Sequence, residues 1–265
     1  MNPDVSPGQH LLASGVRVVF PAPARDEPPT VALDGFSLAV GRGEVVALIG
    51  PNGCGKSTFL RVAAGLLAPE SGSVALDGDR VVAPDPRIGL VFQEPRLLPW
   101  RSVADNVAWP LELAGARRGE IDSRVGELLH LVGLEDAAAL RPVQLSGGMR
   151  QRAGIARSMA LAPEVLLLDE PFSALDALTR ERFNLDLLRL QERTATTVVI
   201  VTHSIPEAIL MADRVVVMTP RPGRVAAEVP IHVPRPRSLA SMDAALVSEA
   251  AAEIRRHLEL PERAA

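Results

Sequence analysis

One segment of the chain has the residue types and the spacing of a phosphate-binding loop. Residues 50–58 read GPNGCGKST and satisfy the pattern G-x-x-x-x-G-K-[ST], whose glycines let backbone amides point at a bound phosphate. Lys56 is the only lysine in the sequence. A compact ammonium on a flexible stem can enter a tight ring of amides, whereas a planar guanidinium is too broad. Lys56 is therefore predicted to reach the β- and γ-phosphates of a nucleotide.

The predicted nucleotide contacts cover the whole of this loop. The Ser57 hydroxyl is also expected to ligate magnesium. Cys54 is the only cysteine, and we interpret it as a small residue tolerated in the loop rather than as a reactive thiol. The predicted contacts are Gly50, Pro51, Asn52, Gly53, Cys54, Gly55, Lys56, Ser57 and Thr58.

A second chemical motif follows an apolar strand. Residues 165–168 are apolar and end in Asp169 and Glu170, which by themselves are equally compatible with a strand that meets a polar turn. Next to a phosphate loop, Asp169 is expected to hold magnesium, largely through water. Glu170 is then placed to orient or deprotonate an attacking water molecule, as an ATPase requires.

The elements around these motifs alternate between strand and helix. Residues 44–49 (EVVALI) read as a buried parallel strand before the loop, and residues 58–67 as a helix whose positive N-terminal dipole faces the phosphate. Repetition of strand, helix and strand predicts a parallel sheet. The further predicted strands are 16–20, 36–40, 73–76, 80–82, 88–93, 165–168, 197–201 and 215–218, and the further predicted helices are 120–132, 177–192, 206–211 and 243–260.

Several segments have special roles in this prediction. A Pro-rich loop, 21–30, separates the first two short strands and indicates a small β lobe. Residues 97–161 are helical in pattern, and Gly133 is expected to cap the helix 120–132. The Pro/Arg-rich segment 221–237 is predicted to wrap the surface.

Bulk properties limit the function classes. The chain of 265 residues suits one large α/β domain with an appended lobe, and its hydrophobic content of 47% can fill the core. No apolar run approaches the roughly 18 residues of a membrane span, and the start of the chain lacks a leader pattern, so we expect a cytoplasmic protein. The single cysteine agrees with a reducing compartment. A net charge of −4 with dispersed arginines argues against a nucleic-acid partner.

A third motif identifies a family. Residues 145–152 read LSGGMRQR, and a Ser-Gly-Gly that opens a helix is either a plain helix cap or a second phosphate-binding helix terminus. With the other motifs, the sequence resembles the ATP-binding subunits of ABC transporters over most of its length. LSGGMRQR resembles the family signature, Gln93 the Q-loop, residues 173–176 (SALD) the D-loop, and His203 the switch histidine. Met149 replaces the commoner glutamine, and we expect this to be tolerated.

The resemblance implies a fold. It is an α/β P-loop NTPase (RecA-like) with a parallel-sheet core, an N-terminal antiparallel β lobe and an inserted α-helical lobe. Residues 1–265 then form a single ABC ATPase domain, with the helical lobe at about 95–160 and a C-terminal extension at about 221–265.

The resemblance also implies ATP and Mg2+ as cofactors and a head-to-tail dimer of two copies. Each ATP would lie between the phosphate loop of one copy and Ser146, Gly147 and Gly148 of the other, while Asp176 communicates across the dimer. The implied catalytic residues are Glu170, His203 and Gln93, and the implied metal ligands are Ser57, Gln93 and Asp169.

Adenine stacking is a separate expectation. The family usually stacks an aromatic ring of the β lobe on adenine, and this chain has no tyrosine. Phe20 occupies the matching place, and its ring retains the π-face that stacking needs. The alternative is a phenylalanine in the core of the lobe.

Three short segments resemble importer ATPases for nitrate, sulfonates and taurine: 94–100 (EPRLLPW), 221–224 (RPGR) and 234–237 (PRPR). Residues 202–205 (THSI) occur with pyrimidine-type importers instead, so the solute stays open. The implied partners are membrane permease subunits and, indirectly, a solute-binding protein, with this chain on the inner face of the membrane.

Leu97, Leu98 and Trp100 would form the permease-docking surface, or else pack inside the helical lobe. A soluble non-transport ABC protein would normally carry a coiled-coil insertion or a second cassette, and neither is present.

Overall fold

The computed structural model describes residues 9–22, 28–172, 176–235, 237 and 242–259. In chain order the elements are β1 Gln9–Phe20, β2 Thr30–Gly41, β3 Val45–Ile49, α1 Lys56–Ala63, β4 Ser71–Leu76, β5 Asp79–Arg80, β6 Ile88–Val91, α2 Val103–Leu113, α3 Arg118–Val132, α4 Gly147–Ser158, β7 Val165–Asp169, α5 Ala177–Thr194, β8 Thr197–Val201, α6 Ile205–Met211, β9 Arg214–Met218, β10 Val225–Pro230 and α7 Ala244–Glu259.

The core is a sheet with the strand order β10-β9-β3-β8-β7-β6. All neighbouring strands in it are parallel except β10, which is antiparallel to β9. Every residue of β3, β7 and β8 is buried, as is typical of parallel strands whose two faces are both covered. The predicted parallel-sheet core is confirmed.

Side chains that alternate along the core strands separate two hydrophobic clusters. In β3, Val45, Ala47 and Ile49 pack with the helices α2 to α4, α6 and α7. Val46 and Leu48 point to the other face and pack with α1 and the β lobe. The carboxyl ends of the central strands lie between these two layers, and this is where the motif residues emerge.

The β lobe is an antiparallel sheet with the order β2-β1-β4-β5. The predicted strands 16–20 and 36–40 are wrong in extent, because β1 and β2 each have 12 residues. Their register shifts between Ala13 and Val16 and again beyond Val16, so the period-two pattern is interrupted and only short runs are visible in the sequence. The strands predicted at 73–76 and 80–82 correspond to β4 and to the two-residue β5, which form an antiparallel hairpin with Asp77 and Gly78 both at positive φ in its turn.

The helical lobe contains α2, α3 and α4. The predicted helix at 120–132 is confirmed in α3, and Gly133 ends it with a φ of 60°. The apolar face of this helix is buried, and its members are Ile121, Val125, Leu128, Leu129 and Val132. None of the described helices is long and apolar enough to cross a membrane.

The segment 221–237 differs from the prediction that it wraps the surface. It contains β10, which extends the core sheet, and its last arginine turns inward. Arg237 is buried and donates hydrogen bonds to the carbonyls of Ile209 and Ala212 at the end of α6 and to Val233. A guanidinium has five donors and can satisfy several carbonyls at once, so arginine-rich composition did not mean exposure here.

An ion network joins the β lobe to the core sheet. His10 of β1 is buried; its Nδ1 lies 2.6 Å from Thr197 Oγ1, and its Nε2 lies 3.4 Å from Glu164 and 3.6 Å from Asp77. Arg42 pairs with the same two carboxylate oxygens, at 2.5 Å from Asp77 and 3.1 Å from Glu164. Both carboxylates are therefore paired with one guanidinium, and we interpret the network as a link between the two sheets.

Candidate active site

The phosphate loop leads directly into α1, which begins at Lys56 and ends at Ala63, earlier at both ends than the predicted 58–67. Gly55 before the helix has a φ of 109°, and a Cβ there would lie 2.7 Å from Leu33 Cδ2, so only glycine fits. Gly65 after it has a φ of 69° and ends the helix.

Lys56 folds back into this loop. Its Nζ donates to the carbonyls of Gly50 at 2.8 Å and Pro51 at 3.0 Å, and the residue is only 6% exposed. The ammonium is thus held at the centre of the loop, where an anionic phosphate would meet it beside the N-terminal amides of α1. The Cys54 side chain points instead into the hydrophobic cluster under the loop.

Two of the three residues predicted to hold magnesium, Ser57 and Asp169, lie in contact. Ser57 Oγ donates to Asp169 Oδ1 at 2.8 Å, across 112 positions of the sequence. Burial, and to a lesser degree the nearby Glu170 charge, raises the pKa of Asp169, while the Ser57 hydrogen bond opposes the rise. Hydroxyl and carboxylate oxygens are the hard donors that Mg2+ prefers, and two ligands of an octahedral Mg2+ lie about 2.9 Å apart. The donor set and its spacing fit the ion.

Glu170 lies between the other two predicted catalytic residues. Its Oε2 is 3.3 Å from Gln93 Nε2 and 3.4 Å from His203 Nδ1. The Glu170 backbone has a φ of 46°, a conformation that costs a side-chain-bearing residue about 1–3 kcal/mol. The Glu170 amide donates to Val201 O at 3.0 Å and helps to hold this conformation. The strained backbone turns the carboxylate toward the Gln93 and His203 side chains.

These groups line one cleft of about 830 Å³. Phe20 is one of its lining residues and is 37% exposed rather than buried in the lobe. Adenine stacking by Phe20 stays a prediction, but its ring is accessible to a ligand. The lining residues are Phe20, Pro21, Thr30, Ala32, Asn52, Gly53, Gly55, Lys56, Ser57, Thr58, Gln93, Glu170, His203 and Arg221.

The signature segment is not part of this cleft. Ser146 caps α4 by accepting a hydrogen bond from the Met149 amide at 3.2 Å, and its side chain is exposed. Asp176 caps α5 in the same way, accepting from the Thr179 amide at 3.0 Å. The remaining D-loop residues 173–175 lie outside the described part of the chain. A single chain therefore brings together the phosphate loop and the predicted catalytic residues, but not the signature segment.

Sequence reasoning missed two residues near the catalytic groups. Arg221 lines the cleft and donates from Nε to Gly53 O at 3.0 Å, although 168 positions separate them. Glu207 of α6 lines a small cavity together with Glu170 and His203 and is buried. No local spacing pattern could have found the contact of Arg221 with Gly53 or the approach of Glu207 to Glu170, because both depend on which strands are neighbours in the sheet.

Glu207 makes the stability of the chain depend on pH. Burial, partly opposed by Arg180 and Thr202, raises the pKa of Glu207 from 4.5 to about 7. Between these values Glu207 binds more protons in the folded state than in the unfolded state, so its contribution to the free energy of unfolding falls as pH rises from about 4.5 to about 7. Glu207→Gln should remove this fall. The difference in free energy of unfolding between the variant and the parent chain should therefore shift in favour of the variant by about 1–3 kcal/mol from pH 5 to pH 8.

Denaturant unfolding at pH 5 and pH 8 measures this effect. The exposed Glu249 offers a matched control, and Glu249→Gln should keep the pH dependence of the parent chain. Parallel pH profiles for the parent and Glu207→Gln would show that Glu207 ionises at its ordinary pKa.

Comparison with known proteins agrees with this geometry. A model of the family described as "ABC transporter" matches residues 33–173. The chain is 47% identical over 213 residues to a taurine import ATP-binding protein of Sinorhizobium fredii, covering 80% of each protein. It is 49% identical over 220 residues to an aliphatic sulfonates import ATP-binding protein of Burkholderia cenocepacia, covering 81% of this chain and 80% of the relative.

The fold also matches solved structures. A dimeric bacterial ABC transporter cassette superimposes with a TM-score of 0.76 at 33% identity, covering 84% of this chain and 99% of the cassette. The same scores describe the match to a dimeric, post-hydrolysis state of that cassette bound to ADP and Pi.

Proposed function

The chain belongs to the ABC transporter family of ATPases, and we propose that it hydrolyses ATP to energise uptake of a small solute through a membrane permease. The observation that carries the proposal is the position of the Glu170 carboxylate, within 3.4 Å of both Gln93 and His203, in the cleft that the phosphate loop lines. A carboxylate so placed can accept a proton from water that attacks a γ-phosphate.

The chain supplies distinct groups for this reaction. Lys56 and the amides at the start of α1 bind the β- and γ-phosphates and stabilise the charge that develops on them. Glu170 accepts the proton of the attacking water, Gln93 orients that water, and His203 donates a hydrogen bond to the γ-phosphate. Ser57, Gln93 and Asp169 would hold Mg2+, which neutralises phosphate charge when bound.

The second half of each ATP site comes from another copy in our proposal. In one chain Ser146 is exposed at the start of α4 and lies outside the cleft. Two chains packed head to tail would place Ser146, Gly147 and Gly148 of one copy over the phosphate loop of the other, with Asp176 at the contact. The dimeric form of the similar cassette supports this arrangement.

The solute class follows from the relatives. Proteins that import taurine and aliphatic sulfonates are 47% and 49% identical to this chain, so we propose a small sulfonate, taurine or nitrate as the solute. A binding protein would deliver it to the permease, and this chain would act from the cytoplasm on the inner face of the membrane. A pyrimidine-type solute is the alternative that residues 202–205 suggest.

Trp100 is the residue best placed to dock on the permease. Trp100 is 68% exposed just before α2, which removes the internal-packing interpretation for this residue. Leu97, in contrast, is half-buried against the core of the helical lobe. The expected joint role of Leu97 and Trp100 is therefore revised, since a change at Leu97 would also disturb packing. A large exposed aromatic side chain is typical of interface anchors.

Trp100→Ala should separate transport from nucleotide binding. We expect solute uptake to fall about tenfold or more, because an anchor is lost, while the isolated chain folds and binds ATP normally. Uptake of labelled taurine, an alkanesulfonate, nitrate and a pyrimidine is measured in cells that carry the chain with its permease. The control is Val82→Ala, which changes an equally exposed apolar residue on the β-lobe side.

Two outcomes would contradict these assignments. Unchanged uptake in Trp100→Ala would reject the docking role. Uptake of none of the four solutes by the parent chain, or of the pyrimidine alone, would reject the proposed solute class.

A further inference from the structure

Arg221 lies in the nucleotide cleft without an assigned role. It follows β9, and its Nε donates to the Gly53 carbonyl of the phosphate loop at 3.0 Å. A Cβ on Gly53 would lie 3.0 Å from the Arg221 Nη2, so the guanidinium rests directly against the loop. The nitrogens Nη1 and Nη2 have no hydrogen-bond partner within the described chain, which leaves four N–H donors for a ligand or for water.

The turn that carries Arg221 is tied to both sides of the cleft. Gly223 approaches the loop so closely that a Cβ there would lie 2.0 Å from Cys54 O. The Gly223 amide donates to Ala32 O at 2.9 Å, and Ala32 is itself a lining residue of the cleft. Thr219 closes the turn from inside, donating from Oγ1 to Pro222 O at 3.0 Å. These contacts fix the backbone of the turn that carries Arg221.

The charge of Arg221 is also not neutralised. The neighbouring arginines of this region are paired: Arg224 and Arg17 both bind the carboxylate of Asp34. Among the residues that the structure describes, Arg221 has no carboxylate within ion-pair distance. A cation that is fixed in a cleft without a protein anion is suited to bind an anionic ligand, and a guanidinium can bind two phosphate oxygens at once.

The neighbours of Arg221 in the cleft indicate which part of a bound nucleotide it could contact. Ala32, Thr30 and Phe20 lie at the proposed adenine end, and the turn of Arg221 is bonded to Ala32. Glu170 and His203 mark the end where the γ-phosphate would lie, and no hydrogen bond links Arg221 to either in the described chain. The turn is therefore joined to the Ala32 side of the cleft, while its Arg221 guanidinium contacts the phosphate loop at Gly53.

We propose that Arg221 is a nucleotide-binding residue, whose guanidinium binds the phosphate group nearest the ribose. This inference rests on the proposed function of the cleft as an ATP site. ATP and ADP both contain that phosphate, so Arg221 would contribute equally to their affinities and little to the chemical step. The same residue would therefore retain ADP after hydrolysis as well as bind ATP before it.

The test compares Arg221→Gln with two other variants. Dissociation constants for ATP and ADP are measured by titration calorimetry, and kcat and KM by phosphate release. A lost charge-assisted contact should raise both dissociation constants and KM about tenfold, with kcat changed less than about twofold. Arg221→Lys should recover part of the affinity because it keeps the charge. Arg224→Gln, three residues away in the same turn but outside the cleft, should bind both nucleotides like the parent chain.

Any of the following results would overturn the inference. A loss of ATP affinity with unchanged ADP affinity would place Arg221 at the γ-phosphate or at a second copy. An equal loss in Arg224→Gln would show that the turn acts only structurally, and unchanged affinities would remove Arg221 from binding. A parent chain that binds neither nucleotide would contradict the proposed function itself, which separates the two failures.

Discussion

Glu170→Gln should bind ATP like the parent chain, but its rate of ATP hydrolysis should be lower by about a hundredfold or more. Glutamine keeps the shape of the side chain and its hydrogen-bonding capacity toward Gln93 and His203, which lie 3.3 and 3.4 Å from the carboxylate. It cannot accept a proton from the attacking water. Phosphate release measures hydrolysis, and fluorescent-nucleotide titration measures binding.

The same variant should accumulate as a dimer in ATP. If ATP joins two copies and only hydrolysis separates them, size-exclusion chromatography should show a dimer with ATP and a monomer with ADP. The control is Glu94→Gln, an exposed glutamate beside Gln93 that does not line the cleft. Turnover near that of the parent chain in Glu170→Gln would exclude Glu170 as the base.

Lys56→Ala should lose both ATP binding and hydrolysis, each by about a hundredfold or more. Lys56 is 6% exposed, and its ammonium lies inside the loop, 2.8 Å from Gly50 O and 3.0 Å from Pro51 O. Lys56→Arg should fail in the same way, since a planar guanidinium exceeds the space between these two carbonyls.

Nucleotide titration and phosphate release measure both Lys56 variants, with circular dichroism to verify the fold. Arg193→Ala removes an exposed cation from α5 and should leave binding unchanged. An active Lys56→Arg chain would refute the argument that the loop selects lysine by size.

Local signals in the sequence predicted much of the fold. The helix α3 was found because five apolar positions lie on one face and Gly133 can adopt the φ of 60° that ends it. The central strands were found because parallel strands covered on both faces are apolar throughout. The extent of β1 and β2 was not found, because bulges interrupt their alternation. The strand β10 was hidden by its Pro/Arg-rich surroundings.

The candidate site also combines a local motif, which the sequence predicts, with long-range contacts, which spacing does not predict. The loop 50–58 is a local motif whose spacing alone predicts its backbone and its ligand. In contrast, the contact of Ser57 with Asp169 spans 112 positions, and that of Gln93 with Glu170 spans 77. For these, the resemblance to a family stood in for geometry that spacing cannot supply.

By itself, the sequence determined the identity of the phosphate loop, the strand and helix alternation and the residue types that the chemistry needs. Only the tertiary structure decided which of them meet, because the spatial order β9-β3-β8-β7-β6 differs from the chain order of these strands. That order places β9 beside β3, and so brings Arg221 to Gly53 across 168 positions. Periodicity and spacing act over a few turns or strands, whereas strand order is set by the burial of whole faces.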